Sequence, residues 1–140
     1  MSYFMSKSEK DTIAFASKFA STLKKNSIVV LSGDLGSGKT KFTQGILIYF
    51  NLEKEISSPT FTIVNEYNGK DFNIYHFDLY RLSDIDEFYA MGGEEYLNSG
   101  LCIFEWGEMI ENILPNGYIK VSFSRDLDNP DFRKIDITNL

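Results

Sequence analysis

With 140 residues, 43% of them hydrophobic and 15% aromatic, the chain predicts one ordered domain, residues 1–140, with a real core and little room for an appended module. A net charge of −6 with only three arginines, Arg81, Arg125 and Arg133, argues against a broad surface for nucleic-acid backbones. The single cysteine, Cys102, excludes an internal disulfide and a cysteine cluster for zinc or iron–sulfur chemistry.

No apolar run approaches the roughly 20 residues that span a bilayer, and the N-terminus lacks a signal-peptide core. A cytoplasmic protein with no membrane partner is expected. Residues Ser8 to Lys25 predict a first helix, with Ser8 and Asp11 spaced as a capping box and Ile13, Ala16, Phe19, Ala20 and Leu23 as its apolar stripe. Ser27 to Ser32 is a short β-branched run that predicts a strand. A helix follows from Lys39 to about Phe50, in which Phe42, Ile46, Tyr49 and Phe50 face the sheet and Lys41 and Gln44 face solvent.

Pro59 removes a backbone donor and pushes Ser58 toward extended backbone, so Ser57 to Thr60 reads as a loop entering a strand. Phe61 to Tyr67 and Phe72 to Asp78 flank Asn68-Gly69 and predict a hairpin, placed beside the strand at Ser27 to Ser32. That placement makes the sheet mixed. Ser83 and Asp86 repeat the capping-box spacing and open a helix through about Met91, ended by Gly92-Gly93. Leu101 to Phe104 reads as a buried strand ending in Glu105-Trp106, then one or two helical turns over Glu108 to Leu114. Tyr118 to Ser124 and Phe132 to Thr138 close the chain as a pair of strands. The fold class is α/β: a single domain with a mixed parallel and antiparallel central sheet flanked by helices.

The strongest chemical signal is Gly33-Asp34-Leu35-Gly36-Ser37-Gly38-Lys39-Thr40, which fits G-x-x-x-x-G-K-S/T, the Walker A pattern, at every specified position. Gly33, Gly36 and Gly38 can adopt backbone angles that let successive N–H groups turn inward as an anion nest. The helix that follows adds its unpaired N-terminal amides and the positive end of its dipole. Lys39 supplies a full charge for the β- and γ-phosphates, and the Thr40 hydroxyl can ligate Mg²⁺.

Mg²⁺ with a nucleotide also needs an acid at the carboxyl end of a nearby strand, because the ion prefers hard oxygen ligands. Asp78 and Glu105 both qualify. Spacing slightly favours Glu105, at the end of the more uniformly apolar run, with Asp78 ordering the attacking water. The ordinary alternatives are a turn or capping role for Asp78 and a surface salt bridge for Glu105. Ser58, Thr60 and Thr62 either sense the γ-phosphate, as switch segments do, or cap a local turn. His76, the sole histidine, lies within a strand and reads as a core or edge residue rather than a catalyst. Trp106 is either a core anchor, a cover for the site, or a contact for a partner.

Taken together, GDLGSGKT at Gly33 to Thr40, SPTFTIVNEY at Ser58 to Tyr67, HFDLYRL at His76 to Leu82 and IFEWGE at Ile103 to Glu108 resemble the bacterial TsaE (YjeE) family. That family is the ATPase component of the machinery that forms N6-threonylcarbamoyladenosine at position 37 of certain tRNAs. The resemblance implies ATP/ADP and Mg²⁺ as cofactors, with hydrolysis resetting a partner complex between turnovers. It assigns Lys39 to phosphate, Thr40 and Glu105 to Mg²⁺ and Asp78 to the hydrolytic step. Gly33 to Thr40 with Thr60 would bind nucleotide, and Thr12 would lie near its base. Ser58, Pro59, Thr60 and Phe61 correspond to a mobile switch-like loop, and Trp106 to a sensitive aromatic beside the metal. The implied partners are the threonylcarbamoyl transferase subunit and its non-catalytic paralogue (TsaD-like and TsaB-like proteins), with tRNA reached only through that complex. One departure is Gly107, where members often carry proline, a residue that would stiffen the segment after Trp106.

Only Arg81 lies near a site motif, so slow hydrolysis by the isolated chain and acceleration by its partners are expected. The chief rival is a small-molecule or nucleoside kinase, for which the chain offers few arginines to build a lid. A GTPase would need an N-K-x-D or T-K-x-D stretch and a D-x-x-G switch, and the sequence carries neither. A non-catalytic nucleotide sensor is the third reading.

Overall fold

Leu101, Cys102, Ile103 and Phe104 have no solvent exposure, which puts their strand at the centre of the protein, covered on both faces. The computed structural model describes residues 2–34, 38–53 and 63–140. In chain order the elements are β1 (Ser2–Ser6), α1 (Glu9–Ala20), β2 (Ile28–Ser32), α2 (Lys39–Tyr49), β3 (Val64–Tyr67), β4 (Asn73–Asp78), α3 (Ile85–Ala90), α4 (Gly93–Tyr96), β5 (Gly100–Glu105), a 3₁₀-helix (Gly107–Ile113), β6 (Ile119–Arg125) and β7 (Arg133–Asn139).

Among the described residues the seven strands form one sheet in the order β1-β7-β6-β2-β5-β4-β3. The inner four, β6, β2, β5 and β4, run parallel, while β3, β7 and β1 are antiparallel to their neighbours. The sheet is therefore mixed, as expected. The hairpin β3–β4 forms, but β5 lies between it and β2, so it is not beside the phosphate-loop strand. A hairpin signal specifies local pairing only; burial of the uniformly apolar β5 decides the place next to β2.

Each face of the sheet carries its own core. Alternate residues Val29, Leu31, Ile74, Leu101, Ile103 and Val121 pack against Ala16 and Phe19 of α1 and Phe42, Ile46 and Leu47 of α2. Val30, Phe77, Cys102 and Phe104 face the other way, toward Phe88 of α3 and Ile110 of the 3₁₀-helix. Gly45 lets the two helices of the first face approach closely: a Cβ there would lie 2.4 Å from the Ile13 carbonyl oxygen and 2.6 Å from Ala16 Cβ. Phe42 is fully buried and meets Phe19 and Phe123 with ring centroids 5.5 and 5.4 Å away, each contact adding roughly 0.5–1.5 kcal/mol to the area term.

Several local expectations shift. α1 starts as expected, since Ser8 Oγ accepts from Asp11 N, but Asp11 Oδ2 reaches back to Lys7 N and the helix ends at Ala20. The α3 cap is Asp84, not Ser83: its Oδ1 accepts from Glu87 N while Glu87 Oε2 accepts from Ser83 N, so the reciprocal pair is one residue later than Ser83 and Asp86. Along α2 the inward residues are Phe42, Ile46 and Leu47, and Phe50 at its end packs against the same core as expected, whereas Tyr49 is exposed. β1 was not foreseen, because an edge strand that pairs only with β7 needs no apolar run of its own. Among the described residues no helix is long and apolar enough to cross a membrane.

Candidate active site

Parallel pairing lines up the carboxyl ends of three strands. Leu31 of β2 is in register with Glu105 of β5, and Glu105 with Asp78 of β4. Residues in one register row share a face, so both acids emerge on the side that α2 covers. The chain leaves β2 toward the β3–β4 edge and leaves β5 toward β6 on the opposite side, which opens a crevice between β2 and β5 at this edge.

The phosphate loop starts at Gly33, two residues beyond Leu31 of this row. Gly33 (φ 152°) and Gly38 (φ 109°) both have positive φ, which a side chain disfavours, and Gly38 leads directly into α2. Lys39, 4% exposed, donates from Nζ to the Gly33 carbonyl at 2.7 Å, tying the two ends of the loop together. The same ammonium lies 3.8 Å from the centroid of the Trp106 ring, a cation–π contact next to Glu105 in the chain. Trp106 adopts a left-handed conformation (φ 60°, ψ 43°) that ends β5. Its outer face meets Tyr80, 5.1 Å away and 63% exposed. Trp106 also packs, partly buried, against the core on the other face of the sheet, so it has contacts both as a core anchor and as a neighbour of Lys39.

Thr40 lies in the first turn of α2 and is exposed. Asp34 is exposed. Leu35, Gly36 and Ser37, and the switch-like Ser58, Pro59, Thr60 and Phe61, lie outside the described residues. Thr12 is buried in α1, shares a 2.6 Å hydrogen bond with Ser6 Oγ and packs toward Gly38, where an added Cβ would meet its Cγ2 at 3.9 Å. The residue expected near the base thus borders the C-terminal end of the loop.

Asp78 is half-buried; its Oδ1 accepts from Tyr80 N at 3.1 Å, an Asx-type turn that orients both the acid and the tyrosine covering Trp106. Glu105 is 9% exposed, and its Oε2 is 2.6 Å from His76 Nε2. This is a buried pair, not a surface salt bridge. Sequence reasoning gave His76 a core or edge place, of which the structure shows the buried one, but missed its link to Glu105. The available signal was its position two residues before Asp78, on the same strand face; the adjacency of β4 and β5 was not legible. Also missed was the rim contact in which Ser32 Oγ donates to Glu108 Oε1 at 3.3 Å. Gly107 is buried, and a Cβ there would lie 3.1 Å from Val30 Cγ1 and 3.2 Å from Phe104 Cβ, so packing constrains the segment after Trp106.

A glycine-bent loop opening a helix, its lysine beneath an aromatic cover, and two acids at the carboxyl edge of a parallel core define a phosphate-loop α/β protein of the NTPase type. Residues 6–135 match the family described as Threonylcarbamoyl adenosine biosynthesis protein TsaE. The tRNA threonylcarbamoyladenosine biosynthesis protein TsaE of Rickettsia bellii is 47% identical over 133 residues, 94% of this chain and 91% of that protein. The protein of the same name from Bacillus subtilis is 38% identical over 130 residues, 92% of this chain and 80% of that one. The crystal structure of Bacillus subtilis YdiB superposes with a TM-score of 0.78 at 32% identity, covering 99% of this chain and 84% of that chain. The chain belongs to the TsaE family, which takes part in tRNA threonylcarbamoyladenosine biosynthesis.

Proposed function

We propose that the chain binds ATP with Mg²⁺ at the loop, hydrolyses it slowly alone, and by hydrolysis resets the complex that forms N6-threonylcarbamoyladenosine at position 37 of tRNA. The observation that carries this reading is the register row Leu31–Glu105–Asp78 ending two residues before Gly33, whose carbonyl receives Lys39. Lysine, loop and two acids thereby share one edge.

In this reading a γ-phosphate oxygen replaces the Gly33 carbonyl as acceptor for Lys39 Nζ, while Trp106 keeps water from that side of the ammonium. Thr12 borders the part of the site nearest the base. The donor chemistry suits magnesium, since Thr40 offers a hydroxyl and Glu105 and Asp78 offer carboxylates, all hard oxygens. Among the described residues no group of three or more His, Cys, Asp or Glu side chains could hold a metal ion. In this reading the ion takes one or two protein oxygens and the rest from phosphate and water. Thr40 and Glu105 would hold it, and when bound it neutralises charge developing on the transferred phosphoryl group. Asp78, oriented by the Tyr80 amide, would hold the attacking water. The partners are the threonylcarbamoyl transferase subunit and its non-catalytic paralogue, which would accelerate hydrolysis by completing a site poor in arginine.

The test is reconstitution with those two proteins and tRNA, scoring modification and free phosphate with and without this chain. Multiple-turnover modification that depends on this chain, with phosphate release lost in Asp78→Ala, is expected. Stoichiometric phosphorylation of a small acceptor with no free phosphate would favour a kinase. Modification that continues in Asp78→Ala without hydrolysis would leave a nucleotide sensor.

A further inference from the structure

Among the described residues, the pair His76–Glu105 is a buried polar contact at the carboxyl edge that the proposed chemistry leaves without a task. His76 is 6% exposed, in register with Ile103 of β5 and Asn65 of β3, one pleat below the row of Glu105 and Asp78 and on the same face. With its proton on Nε2, His76 donates to Glu105 Oε2 at 2.6 Å. Burying such a pair gains little stability over apolar side chains of similar volume, and apolar residues occupy much of this face, Ile74, Leu101, Ile103, Val29 and Leu31 among them. Stability is therefore a weak reason for a histidine here.

Orientation is a stronger one. A glutamate has three rotatable side-chain bonds, and a carboxylate that must meet an ion beside the loop has to hold one of many rotamers. A donor fixed on a rigid neighbouring strand pins Oε2 and leaves Oε1 for the ion, in the way outer hydrogen bonds orient metal ligands elsewhere. We propose that His76 is a positioning residue for Glu105, holding the carboxylate from the adjacent strand in the pose that receives nucleotide-bound Mg²⁺. This rests on the reading of Glu105 as the metal acid, and the experiment separates the two.

Full-length wild type, Glu105→Gln, His76→Ala, His76→Gln and the Glu105→Gln/His76→Ala double variant are titrated with ATP by calorimetry, first in EDTA and then at increasing Mg²⁺. Bound Mn²⁺ is followed in parallel by electron paramagnetic resonance. In His76→Ala the affinity for ATP in EDTA is unchanged, the Mg²⁺ concentration for half-maximal effect rises about 10-fold, and the Mn²⁺ signal of the complex changes. His76→Gln, whose amide reaches about as far as Nε2, restores most of the loss. The double variant is no worse than Glu105→Gln. A shift in Glu105→Gln with wild-type behaviour in His76→Ala overturns the positioning role and leaves the metal acid standing. No shift in either overturns both. Should His76→Ala not fold, His76→Asn, which reaches only as far as Nδ1, is compared with His76→Gln, and equal Mg²⁺ requirements in the two overturn the proposal.

Discussion

Lys39 and Trp106 are in contact, the ammonium 3.8 Å from the centre of the indole ring, although 67 positions separate them in the chain. The lysine of the phosphate loop is thus already desolvated on one side, with its charge facing a π-cloud and its hydrogen bond going to Gly33. Since Trp106 is the sole tryptophan, its emission reports on that ammonium. Adding ATP should shift the emission of the wild type and leave that of Lys39→Ala unchanged; equal shifts in the two would disprove the coupling. Trp106→Phe weakens the ring's field, and a loss of about 1 kcal/mol in urea unfolding is expected.

At Gly45 the helix α2 lies close against α1. Gly45→Ala drives a methyl group into the Ile13 carbonyl and Ala16 Cβ, both fixed parts of α1. A destabilisation of about 2–3 kcal/mol is expected, read as a lower urea midpoint at unchanged slope. A neutral result would mean the helices separate without cost.

The displaced cap on α3 makes a sharp comparison. Asp84→Ala removes the acceptor for Glu87 N and should cost about 1 kcal/mol, while Ser83→Ala, whose side chain is not the cap, should stay within about 0.5 kcal/mol. Thermal melts of the two variants decide it, and the reverse ranking would restore Ser83 as the cap.

Burial pushes the Cys102 thiol from its ordinary value of 9.0 up to about 12. The folded protein therefore keeps the proton that the unfolded chain loses. This contribution to stability is fully present below pH 9 and is lost as pH rises toward 12, at about 1.4 kcal/mol per pH unit in between. Unfolding of Cys102→Ala across that window should have a shallower pH slope than wild type. Thiol reagents at pH 8 should label Cys102 only after denaturant is added, and rapid labelling of the native chain would contradict its burial.

The strand–loop–helix at Ser27 to Phe50, the hairpin at Asn68-Gly69 and the buried run at Leu101 to Phe104 were legible because each rests on local physics: apolar periodicity, turn-forming residues between two apolar runs, and the glycine spacing of the loop motif. Asp78 and Glu105 were legible as acids closing strands, and the four motifs were specific enough to point to the family. Three relations were not legible: β5 between β2 and β4, the donation from His76 to Glu105, and the indole of Trp106 on Lys39. Each depends on which strands become neighbours, and that choice follows from the burial of whole faces rather than from any short stretch of chain. The residues thus specified the chemical groups, and only the packing of the sheet decided which of them meet.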